Sequence, residues 1–223
     1  MFKLALLMIP FTGGMITYWV WRSRRQSIIG VRGRNRHFRY LADELKLMQG
    51  GDDYFTQLEG EWKGFPILVY PHNFHGPGSI TLFYADTGIP MKPRTWLEPS
   101  LSLGRAINDW QRHVPFQHEH SGDPILNKAP IRNVIHRHQE KLPFIAITLP
   151  TRFIFSHYVM QTLSNWQNFV VLVALDAGRN PTVEQMEEVL DATVEIAQTV
   201  RSAILANEEE QPVERIKVQQ VSS

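Results

Sequence analysis

The chain contains no cysteine. Disulfides, thiolate nucleophiles and cysteine-ligated zinc are therefore excluded. The compartment stays open, because proteins of reducing and oxidising compartments alike can lack cysteine. Acidic residues are absent from the N-terminal region, where none occurs before Asp43. Reaction signatures are missing as well. The sequence has no His-Glu-x-x-His pair, no Gly-x-Ser-x-Gly elbow, no phosphate loop ending in Gly-Lys-Ser/Thr and no dinucleotide fingerprint. No cofactor is implied.

What the sequence does hold is unevenly distributed. At 223 residues, with 43% hydrophobic and 20% charged side chains, it has room for one ordinary globular domain. The net charge of +1 conceals a strong asymmetry. Seven arginines lie between Arg22 and Arg39; with these and Lys3 set aside, 15 basic residues face 22 acidic ones, a net charge of −7. A basic neck thus joins a hydrophobic head to an acidic body.

The head, Leu4 to Trp21, is 18 residues without a charge. As a helix it would extend roughly 27 Å, about the hydrocarbon thickness of a bilayer. Pro10 and Gly13-Gly14 are tolerable in a membrane helix, and Tyr18, Trp19 and Trp21 fall where aromatic belts form. A cleavable leader would carry its charge in front, whereas here Arg22, Arg24 and Arg25 follow the apolar run. The expectation is a single-pass anchor contacting lipid through residues 4–21. The positive-inside rule then puts the N-terminus outside and the C-terminus in the cytoplasm. Arg22, Arg24, Arg25, Arg32 and Arg34 are the candidate membrane-surface residues, each contributing on the order of 1 kcal/mol near anionic lipid. With only Phe38 for stacking, the neck argues against nucleic acid.

The expected division is an anchor over 1–22, a basic linker over 23–34, a cytoplasmic α+β domain over 35–207 and a polar tail over 208–223. Within the domain, Phe38, Leu41, Leu45 and Met48 have helical spacing, and Gln49-Gly50-Gly51 reads as the stop. Tyr54–Trp62, Lys63-Gly64 and Phe65–Tyr70 read as a β-hairpin. Further strands are expected at Ser79–Ala85, Pro99–Leu103, Phe144–Leu149 and Asn168–Leu175. The proline-rich stretch Asp86–Pro99 and the histidine-rich stretch Gln111–His138 read as irregular, and His157–Asn165 as one or two helical turns. Thr182 and Gln185 have capping-box spacing ahead of an apolar stripe, Val183, Met186, Leu190, Val194, Ala197, Val200 and Ile204. Strands in the middle and helices at the ends predict an α+β fold with a mainly antiparallel sheet and a long C-terminal amphipathic helix.

Two function classes compete. The pattern favours a non-catalytic interaction or assembly module held at the cytoplasmic face, with a protein partner or a homo-oligomer as its target. Trp96, Trp110 and Phe116 lie in segments with little core character and are the candidate partner contacts. The alternative is a metal-binding protein or metal-dependent hydrolase. His113, His118, His120, His136 and His138 are its weak metal-ligand candidates, since alternation in a strand sets His118 and His120 on one face.

Overall fold

A computed structural model of the chain describes residues 35–51, 56–73, 79–90, 96–99, 118–121, 124–150, 162–175 and 180–210, together with Gly33. Helix α1 (35–45) is followed by β1 (Met48–Gly51), β2 (Thr56–Trp62), β3 (Phe65–Asn73), β4 (Ser79–Pro90), β5 (Trp96–Pro99) and β6 (His118–Ser121). A 3-10 turn at Pro124–Asn127 leads to α2 (Ala129–Gln139), β7 (Phe144–Thr148), β8 (Asn168–Leu175) and α3 (Val183–Glu210). The strands form one sheet in the order β1-β2-β3-β4-β8-β7-β5-β6, and every pairing is antiparallel. The fold is α+β.

Register explains how this sheet is filled. Leu58, Val69, Phe83, Val173 and Ile145 stand in line across β2, β3, β4, β8 and β7. They form one large core with Phe38, Leu41 and Leu45 of α1, Ile131 and Val134 of α2, and Met186, Leu190 and Ala197 of α3. Residues one step along point the other way. Leu68, Tyr84, Leu172 and Ala146 line up on the second face, as do Tyr70, Leu82, Ala174 and Phe144. That face is a separate core joined by Leu163, with Trp166 packed against it. β8 is therefore buried on both sides, and Phe169 through Ala174 are each at most 2% exposed.

The sheet hairpin forms as its residues dictate. Lys63 and Gly64 have φ of 50° and 85°, the pair of positive values that a two-residue type I′ turn needs. The capping box is also present. The Thr182 amide donates to Gln185 Oε1 at 2.9 Å, and the Gln185 amide donates to Thr182 Oγ1 at 3.2 Å.

Several boundaries differ from the sequence reading. The first helix ends three residues before Met48: Lys46 turns into the left-handed region at φ 57°, and the Leu47 amide donates to the Ala42 carbonyl at 2.9 Å. Met48 and the two glycines then run as β1 instead of serving as a stop. β4 continues past Ala85 to Pro90 because a bulge absorbs the irregularity between Asp86 and Pro90. There the Gly88 amide and the Asn168 side chain donate to the Asp86 carboxylate, and Thr87 donates to the Phe169 carbonyl. β5 occupies Trp96–Pro99, inside the stretch read as irregular, and the strand expected at Pro99–Leu103 lies, beyond Pro99, outside the described residues. α2 lies inside the stretch read as irregular, with proline in its first turn and Ile131, Val134 and Ile135 facing the core. α3 extends through Glu210, beyond the expected domain limit at 207.

No helix among the described residues is long and apolar enough to cross a membrane. The anchor expected at 4–21, the linker apart from Gly33, and the polar tail beyond Glu210 lie outside the described residues.

Leu190 is completely buried where α3 meets the sheet. Leu190→Asp places an unpaired carboxylate there and should destabilise the domain by at least about 3 kcal/mol. Thermal unfolding should shift downward by roughly 10 °C. A melting curve coincident with the parent's would mean that α3 does not pack as described.

Candidate functional site

α3 carries most of the charged groups that the fold brings together. Its apolar stripe faces the sheet, so Glu188 and Asp191 lie outward and Glu195 is half-exposed. Three surrounding elements answer them with cations. From the β2–β3 turn, Lys63 Nζ lies 2.7 Å from Asp191 Oδ1, and Trp62 Nε1 donates to the same oxygen at 2.7 Å. From α2, Arg137 pairs with Glu195 Oε1 while His138 Nε2 sits 2.9 Å from Glu195 Oε2. Just beyond α2, Lys141 pairs with Glu188. This ion-pair belt ties the hairpin and α2 to α3. The acidity of the body is in this region met by the chain's own Lys63, Arg137 and Lys141.

Partial burial penalises the charged form of Asp191, but the hydrogen bonds from Lys63 and Trp62 and the charge of Lys63 outweigh it and hold the carboxyl below its ordinary value. Glu188 acts on Lys141 in the opposite sense, raising the ammonium above the usual lysine range through a hydrogen bond and its charge. Glu184, at the start of α3, is lowered by hydrogen bonds from its own amide and from Thr182, as a carboxylate at a helix N-terminus should be.

The histidine candidates do not gather on the described elements. His136 and His138 belong to α2, where two residues amount to about 200° of rotation, so they leave the helix on nearly opposite sides. His136 is exposed, and His138 is committed to Glu195. His118 and His120 fall on β6 at the far edge of the sheet, in register with Pro99 and Leu97 of β5. His113 lies outside the described residues. Among those that are described, no group of three or more histidines and carboxylates could hold a metal ion.

The other candidates separate in the same way. Trp96 is half-buried at the start of β5, opposite Ser121. Trp110, Phe116 and the membrane-surface arginines Arg22, Arg24, Arg25, Arg32 and Arg34 lie outside the described residues. Glu59 and Glu61 alternate along β2 with different fates. Glu61 is exposed, whereas Glu59 accepts from Gln57 Nε2 and, at 3.2 Å, from Thr162 Oγ1. Gln57 Nε2 also reaches Thr162 Oγ1 at 3.0 Å. This cluster abuts Gly50, where a Cβ would come within 2.8 Å of Glu59 Oε1.

Two features escaped the sequence reading. Glu98 is only 5% exposed and accepts a hydrogen bond from Thr148 of β7, although its neighbours gave no sign of burial. An open groove of about 440 Å³ lies between α2 and α3, lined by Pro130, Gln198, Thr199, Ser202 and Ala203. Its lining is uncharged, and among the described residues no acid or base stands beside its two hydroxyls, Thr199 and Ser202.

No protein-family model, curated protein or solved structure matches the chain. The reading of function therefore rests on its own residues.

The Asp191 contacts give a signed pH dependence. A carboxyl whose value is lowered by folding contributes stability above the ordinary carboxylate range and loses it as pH falls through the folded value. Asp191→Asn should lose that contribution at neutral pH, on the order of 0.5 kcal/mol because the pair is half-exposed, and should converge with the parent in acid. It should flatten the fall in stability between about pH 5 and pH 2. Parallel acid-unfolding profiles for parent and variant would contradict the assignment.

Proposed function

We propose that this chain is a membrane-tethered, non-catalytic assembly module, held by residues 4–21 with its α+β domain on the cytoplasmic face. The observation that carries the reading is the order of elements at the N-terminal side of the domain. The basic neck leads into α1, and α1 leads directly into β1, the outermost strand of the sheet. A tether entering there holds an open sheet edge near its point of attachment, an arrangement suited to joining one protein to another. The charged and polar groups described above support the same reading. The belt around α3, the Asp86 bulge and the Gln57–Glu59–Thr162 cluster each fasten one element of the fold to another.

The tether and its direction are tested together. The full-length chain should remain with the membrane fraction through an alkaline carbonate wash and come off only with detergent. A reporter fused after Ser223 should be active only when it folds in the cytoplasm. Release by carbonate removes the anchor from the reading, and activity of a reporter that works only outside reverses its orientation.

A further inference from the structure

The first strand presents an edge of unusual composition. β1 is Met-Gln-Gly-Gly, with neither charge nor proline, and among the described residues no strand lies on its outer side. Natural sheet edges are commonly blunted by charge, proline or a covering element. Here Met48 is 70% exposed, and Gln49 and Gly51 are exposed beside it. We infer that β1 is the site at which a second copy of this chain adds to the sheet, antiparallel and related by a two-fold axis at Gln49. The inference deepens the assembly-module reading by naming the partner, and it rests on that reading for the local concentration that the tether supplies.

The choice of a second copy follows from what a two-fold axis demands. Each residue near the axis meets its own copy or a symmetric neighbour, so a charge on the strand would face itself. β1 carries none. The opposite edge, β6, is His-Glu-His-Ser and would set its glutamate or a histidine against the same residue. With Gln49 opposite Gln49, Met48 falls opposite Gly50. The one large side chain of the strand then lies over the position without a side chain.

The helix beside the edge obeys the same symmetry. Seven helical residues back from Lys46 and three strand residues on from it each cover about 10 Å. This brings Arg39 level with Gln49, and Arg39 Nε donates to Gln49 Oε1 at 3.2 Å. An axis through Gln49 therefore passes close to Arg39 and sets α1 antiparallel to its copy. The two Arg39 guanidiniums, each held by its own Gln49, meet there as a like-charge contact that the flanking pairs have to offset. Arg36, three residues before Arg39, then faces Asp43, four residues after it, on the other copy. Both are exposed. The symmetry yields two such pairs of opposite charge.

Four paired residues bury only a few hundred Å², well short of the roughly 1,200 Å² of a stable solution dimer. Tethering in one membrane raises the effective concentration towards the millimolar range, where so small an interface can be occupied. The assembly is thus expected in the membrane and lost on dilution in detergent.

The absence of cysteine allows a clean test. Directly opposed residues of an antiparallel pair have Cα atoms about 4.5–5.5 Å apart, within disulfide range. Full-length Gln49→Cys, oxidised mildly in membranes, should form a disulfide-linked dimer at least about ten-fold more than Gln198→Cys on exposed α3. In the Gln49→Cys background, Arg36→Asp sets carboxylates against each other and should lower the yield. Arg36→Asp combined with Asp43→Arg should restore it. Equal yields from Gln49→Cys and Gln198→Cys, or no restoration by the double reversal, overturn the inference. The carbonate wash separates the two readings. A retained chain that does not cross-link removes the dimer alone, and a released chain that still cross-links removes the tether alone.

Discussion

Burial of β8 on both faces is the constraint from which the rest of the arrangement follows. An antiparallel strand commonly shows one face to water and alternates apolar with polar residues. Asn168–Leu175 has six consecutive residues without solvent exposure worth the name, Val171 and Val173 facing the helices and Leu172 and Ala174 facing away. Such a strand has to be central, and β4 and β7 flank it. Its neighbours inherit the demand for apolar residues on both faces. Tyr84 shows how far this goes: complete burial, with Tyr70 nearby, drives its hydroxyl well above the ordinary tyrosine range, so it stays neutral.

The legible parts of the fold are those in which local chemistry and tertiary demand agree. The α3 stripe, its Thr182–Gln185 cap, the Lys63-Gly64 turn and the apolar run of β8 all follow from residues close in sequence. The misread parts are those in which a distant contact overrides a local signal. Pro90 suggested irregular chain after Ala85, yet the strand survives because Asp86 and Asn168, far apart in sequence, meet across the bulge. Gly50-Gly51 looked like a stop, and Gly50 is instead the position that admits the Glu59 carboxylate. α2 was hidden by its composition: of its eleven residues only Ile131, Val134 and Ile135 form the buried side, too few to register as a period among histidines and arginines. The candidate residues fared similarly. A His-x-His spacing suits a ligand pair only in extended chain, and at 136–138 the chain is helical.

Charge was the signal most altered by folding. The net charge of −7 beyond Arg39 is a sum that says nothing of which carboxylates are already paired. Glu188, Asp191 and Glu195 of α3 pair with Lys63, Arg137, His138 and Lys141, drawn from the hairpin and from the region of α2. Each exposed pair contributes little alone, of order 0–1 kcal/mol. Their placement still matters, because together they define where α2 and the hairpin rest against α3. Net charge speaks to solubility and to long-range steering, and a local field depends on which charges have already found partners.

The same distinction bears on how a tethered domain recognises anything at all. Thirteen residues separate Trp21 from Asn35, so if residues 4–21 span a bilayer as proposed, even a fully extended linker would keep α1 within about 45 Å of it. Neighbouring domains held in so thin a layer would meet far more often than in solution, and contacts of modest strength would then suffice. A neutral edge strand is well matched to that regime. It is short, it carries no charge of its own, and it directly follows α1, the element that the proposed tether would enter. An extensive hydrophobic surface would add little to association that confinement already favours, and it would expose the chain to indiscriminate pairing before the membrane is reached.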